Sequence, residues 1–140
     1  SPPITHDALQ EIDGLLLDLS RRVPPTSRAS YSLLRFFQGI SCHLQAKFLL
    51  ASKHFHAACE ACDDPYYVLQ HAILLHDMRN EDGAIELLEG VTNDASPRTA
   101  TMLSSMLLSR NKSGDRERAR ALAGAVAGVV RIAYCVVRRT

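Results

Sequence analysis

The sequence predicts an all-α fold with about seven helices, and three observations predict it. Apolar residues recur at three- and four-residue spacing along most of the chain, the period of a helix with one buried face. No segment alternates apolar and polar residues as a half-buried strand does. Aromatic residues make up only 6% and Trp is absent, too few for a sandwich or barrel core. With 46% apolar and 22% charged residues, the 140-residue chain can bury a core without metal or disulfide help, and one domain spanning 1–140 is expected.

Thr5 or Asp7 caps a first helix in which Leu9, Ile12, Leu15, Leu16 and Leu19 share a face that ends near Arg21 and Arg22. Val23, Pro24 and Pro25 break it. Ser27 opens a second helix through Tyr31, Leu34, Phe37 and Ile40, and the pattern continues past Leu44 and Phe48 to Phe55 with no Pro to mark a turn. Asp63, Asp64 and Pro65 start a helix over Tyr66 to Met78, and Arg79 to Gly83 connect it to one over Ala84 to Val91. After a loop over 92–96, Pro97 begins the sixth helix, and Asn111 to Asp115 turn the chain into a long last helix from about Arg116. Connections this short force neighbouring helices to lie antiparallel.

Self-similarity refines the architecture. Gly39, Ala51, Phe55 and Ala58 recur 33 residues later as Ala72, Ala84, Leu88 and Val91, while the third unit is less regular, with Ala119 standing 35 residues after Ala84. Small residues at a crossing let two helices approach closely, and the large residue beside them fills the remaining space. The set Gly39, Ala51-x3-Phe55-x2-Ala58 and Pro65 resembles the tetratricopeptide repeat family, although the early Trp and usual Tyr of that family are missing.

The resemblance covers roughly residues 31 to 126 and implies a helix end near Leu44. It divides the chain into an N-terminal helix and linker (1–27), repeat 1 (28–64), repeat 2 (65–96) and a degenerate repeat 3 with the terminal helix (97–140). It further implies a short right-handed superhelix of antiparallel helical hairpins, with a concave groove for a peptide or helix of a protein partner lined by Phe36, Ile40, His43, Leu69, Ile73 and His76. Repeats that clamp a C-terminal carboxylate need Lys and Asn where this chain has Phe36, Ile40, Leu69 and Ile73, so such a clamp is not expected. The stretch from Asn80 to Val91, with Ser96-Pro97 and Thr101 to Met106 after it, resembles the N-terminal regions of tetratricopeptide subunits of the anaphase-promoting complex. Those regions form homodimers, which implies a scaffolding and dimerisation role in a ubiquitin ligase. A small chaperone, similar in outline to the tetratricopeptide chaperones of bacterial type III secretion, is the alternative.

Other motifs fall short of a chemical site. In His54-Phe-His56-Ala-Ala-Cys59-Glu-Ala-Cys62 the ligand types suit zinc, yet Phe55, Ala58, Cys59 and Cys62 form one core-facing helical stripe, so no metal and no cofactor is expected. Asp63 stands where haem attachment would need His. His6, His43, His71 and His76 form no H-E-x-x-H arrangement, and no nucleophile elbow, phosphate loop or dinucleotide fingerprint occurs, so catalysis is not expected. Glu81, Asp82, Glu86 and Glu89 read as a solvated acidic face.

The formal net charge is only +1, and Arg116, Arg118 and Arg120 are interleaved with Asp115 and Glu117, which favours a salt-bridged surface over a nucleic-acid site. Cysteines within apolar helical patterns imply reduced thiols and an intracellular chain, cytoplasmic or nuclear. A start at Ser1 rather than Met is expected of a piece of a longer protein.

The last helix stands apart. Gly124 and Gly128 lie one turn apart, followed by Val129, Val130, Ile132, Ala133, Val136 and Val137, with almost no polar face before Arg138. Ala121 to Val137 is short of the roughly 20 residues of a membrane span and contains Arg131, so no membrane contact is expected. Two readings stay open: a central core helix of the domain, or a surface covered by the first helix, by a partner or by a second copy, with Gly124, Gly128, Val129 and Ile132 as the self-association residues.

Overall fold

The computed structural model describes residues 3–91 and 96–139. Among them lie seven helices and no strand: α1 (His6–Arg22), α2 (Arg28–Leu44), α3 (Phe48–Ala61), α4 (Pro65–Asp77), α5 (Glu81–Glu89), α6 (Pro97–Arg110) and α7 (Asp115–Arg139). The expected loop at 92–95 lies outside the described residues.

Helix starts follow local chemistry. Thr5 Oγ1 accepts a hydrogen bond from the Ala8 amide at 3.2 Å, Asp64 from Tyr66 at 2.9 Å and Ser96 from Thr99 at 3.3 Å, each satisfying an amide that the first turn leaves open. α5 begins three residues earlier than its apolar pattern indicated. Asn80 accepts from the Gly83 amide at 3.0 Å, and Glu81 and Asp82 sit in a first turn that favours acids, so Glu81 to Gly83 are helix rather than connection. The turn after Leu44 is tight, with Ala46 in the left-handed region at φ +59°.

The chain divides into two compact units, Ser1–Met78 and Arg79–Thr140. The division falls between α4 and α5, inside the segment read as repeat 2.

In the first unit, α2 and α3 form a close hairpin. A Cβ on Gly39 would stand 2.7 Å from two carbons of the Phe55 ring, so only glycine allows this approach. Phe55, Ala51 and Ala58 are fully buried behind it, with Phe36, Cys42, Tyr67 and Leu74 completing the core. Phe36 stacks on Tyr67 of α4 at 4.5 Å between ring centroids, and Ser32 donates to the Ala58 carbonyl at 2.9 Å. α1 buries only Leu9 and is fastened by Asp13, which accepts from Ser41 Oγ and Gln45 Nε2 at 2.6 Å each. Burial works against the Asp13 charge, but these hydrogen bonds outweigh it and hold its carboxyl below the usual range.

In the second unit, Ala84, Ile85 and Leu88 of α5 are buried, as are Ala100, Leu103, Met106 and Leu107 of α6 and Ala119 of α7. The α6–α7 turn is locked by charge. Arg110 makes a two-pronged contact with the buried Asp115 carboxylate at 2.7 and 2.8 Å, and the Lys112 amide donates to the same carboxylate at 2.8 Å. Hydrogen bonding by Arg110 outweighs desolvation and pulls the Asp115 pKa down to about 2. Asp82 of α5 accepts from both Arg110 at the end of α6 and Lys112 in the turn, and Glu89 pairs with Arg118 of α7.

Candidate functional site: the apolar helix α7

α6 has 14 residues and α7 has 25, so at about 1.5 Å per residue α7 is the longer by roughly 16 Å. Ser104 Oγ donates to the Ala119 carbonyl at 3.1 Å, and Ala119 is the last buried residue of α7. Beyond it every side chain is open or half-open to solvent, including Ile132 at 67% and Val137 at 71% exposure. The reading of this segment as a central core helix is thereby corrected: the helix outruns the partner that would have buried it. By length and composition α7 is also apolar enough to cross a membrane, and none of its most apolar 18 residues is buried. Arg131, the one charge between Arg120 and Arg138, weighs against a span.

The surface has distinct sides. A groove of about 540 Å³ runs between α6 and α7, lined by Thr101, Ser104, Val126, Val130, Arg131 and Tyr134 among others. Gly124 and Gly128 open onto free space, with nothing within 4 Å of a Cβ at either position. Val129 and Ile132, the other expected self-association residues, are exposed. Arg120, Arg131 and Arg138 are 11 and 7 residues apart, close to three and two whole turns, so they share one stripe. Unlike Arg110, Lys112 and Arg118, these three have no carboxylate partner among the described residues. The signal for this stripe lies in the 11- and 7-residue spacing, which the alternating Arg116, Arg118 and Arg120 obscure.

The six expected groove residues all belong to the first unit, and they do not form one open surface. Phe36 is 5% exposed within the aromatic core, and Leu69 is also buried, so neither is available to a partner. His43 bonds to Asp77 at 2.6 Å and meets the edge of Phe48. Ile40, Ile73 and His76 are half-buried, and Ile40 also faces a second, smaller apolar groove of about 240 Å³ with Ile4, Ile12, Leu16 and Phe37.

The His and Cys string sits on α3 as its helical spacing predicts. Phe55 and Ala58 are buried, Cys59 and Cys62 pack against the core, and His56 points outward to pair with Glu60 at 3.1 Å. Burial pushes the Cys59 thiol up to about 11, and all four cysteines are unpaired. Burial, reinforced by the nearby Arg35 charge, pushes His54 down to about 4. Among the described residues no three His, Cys, Asp or Glu side chains converge as metal ligands. His71, buried and lying against Ser52 Oγ at 3.3 Å, is held below its ordinary pKa by desolvation.

Compared with known proteins, the chain matches no family model, no curated protein and no solved structure.

Proposed function

We propose that the chain is a noncatalytic protein–protein interaction and scaffolding module of tetratricopeptide type, built of helical hairpins, whose α7 associates with a second copy of the chain. The observation that carries this reading is the apolar, unburied length of α7 after Ala119. Soluble chains keep apolar residues scattered at their surface, and a contiguous run of them marks a contact. The choice of a second copy rests on Gly124 and Gly128, which leave room for a neighbouring backbone, and on the resemblance to regions that form homodimers.

The contact is expected to be modest. Two helices of this length, each about 10 Å wide, bury on the order of 800 Å² in total, below the range of roughly 1,200 to 2,000 Å² of stable interfaces. Association in water is therefore concentration-dependent. Light scattering coupled to size-exclusion chromatography over a concentration series reads it directly. A mass rising from one chain toward two, and held at one chain in Gly128→Leu, is the expected result. A single-chain mass at every concentration for both proteins refutes self-association.

A further inference from the structure

The area and the charges of α7 carry a second conclusion, independent of whether copies pair. A partner helix covers a stripe roughly 100° wide, yet the apolar face of α7 from Ile132 round to Val137 spans about 140°. At about 100° per residue, Val129 and Val136 lie opposite the arginine stripe, while Ile132 and Val137 flank them on either side. All four are more than half exposed. A continuous apolar medium covers such a surface better than one protein groove does.

The charges narrow the choice of medium. After Glu117 the chain contains no Asp or Glu, whereas Arg118, Arg120, Arg131, Arg138 and Arg139 follow. The acids of α5 meet only the near end of this series, at Arg118. Arg120, Arg131 and Arg138 stay on one exposed stripe with no carboxylate partner among the described residues. Their complement is a surface of negative charge bordering an apolar interior.

We infer that α7 docks on an anionic lipid surface, lying in the plane of the interface with Val129, Ile132 and Val136 toward the acyl chains and Arg131 and Arg138 among the headgroups. An in-plane helix keeps Arg131 at the polar boundary, whereas a spanning one would bring it into hydrocarbon. Tyr134, beside the arginine stripe and 63% exposed, has the amphipathic ring that favours headgroup depth.

The test is flotation of the full chain with phosphatidylcholine vesicles and with vesicles of equal parts phosphatidylserine and phosphatidylcholine. Flotation with the anionic vesicles, weakened by added salt, is expected. Arg131→Gln with Arg138→Gln should lower that affinity roughly 30-fold. Val129→Ser with Ile132→Ser and Val136→Ser should abolish flotation while circular dichroism stays unchanged, because these side chains are exposed. Gly128→Leu, which separates the failure of self-association from that of lipid docking, should still float. Absence of flotation with anionic vesicles at low salt overturns the inference and leaves a second copy as the cover of α7. Equal binding to both vesicle types, indifferent to the arginine substitutions, overturns it too, as does retention after alkaline carbonate, which marks a spanning helix.

Discussion

The α2–α3 hairpin and the α6–α7 hairpin start from the same plan and finish differently. α2 and α3 have 17 and 14 residues, and their shared face is closed by Gly39 against Phe55. α6 and α7 are joined by a different device, the Arg110–Asp115 clamp, but α7 continues well past the start of its partner. The difference teaches that a hairpin of matched helices spends its apolar residues on its own core, whereas an unmatched one retains part of them for something else. On the proposed reading stability and association are separated along the chain: substitutions in the first hairpin are predicted to unfold, those late in α7 to disconnect.

The largest effect is expected at Phe55. Its ring is fully buried and touches the aromatic cluster of Phe36 and His71, so Phe55→Ala should cost about 3–5 kcal/mol, read as a shift in urea midpoint. Truncating Val137, equally apolar but 71% exposed, should change stability by less than about 0.5 kcal/mol. Comparable losses at the two sites would mean that α7 is buried in solution and would dissolve the contrast between the hairpins.

Gly39→Ala comes next. The added methyl must displace the Phe55 ring from a distance of 2.7 Å, and overpacking of this kind costs about 1–3 kcal/mol. The sequence made this crossing legible, because Gly39, Ala51, Phe55 and Ala58 combine small and large residues at helical spacing. The same reasoning located most helix boundaries, since Pro, Asp, Ser and Asn mark starts through local hydrogen bonds that need no tertiary context. The groove was less legible. Phe36 and Leu69 lie at positions where a helix register permits either a core or a surface role, and only packing against Tyr67 and its neighbours decides for the core. The exposure of α7 was half legible: its composition was plain, but the length of α6 against which it is measured depends on where two helices end.

Acid should separate the two hairpins by mechanism. His54, on α3, has its pKa lowered from 6.5 to about 4 by burial and by Arg35, so the unfolded chain binds the proton more readily. Its contribution to stability is therefore present above about pH 6.5 and lost as the pH falls toward 4. Asp115, lowered from 3.8 to about 2 by Arg110, loses its contribution only below the ordinary carboxylate range, between about 3.8 and 2. Denaturation followed across pH should show the first loss removed by His54→Gln and the second by Asp115→Asn. A first loss that persists in His54→Gln would assign it to another group.

The smallest effect is the most discriminating. Gly128 sits inside α7 with nothing within 4 Å of a Cβ, so Gly128→Ala relieves the entropic penalty of a helical glycine without a clash. The isolated chain should gain about 0.5–1 kcal/mol, opposite in sign to the loss from the same substitution at Gly39. A neighbouring copy seated on this face would meet the new methyl, and association should then weaken while the fold strengthens. Thermal melts at low and high chain concentration separate the two terms, because mass action makes the melting point of an associating chain depend on concentration. If Gly128→Ala raises the melting point by the same amount at both concentrations, the glycine face has no protein neighbour, and the second copy has to be sought on another side of α7.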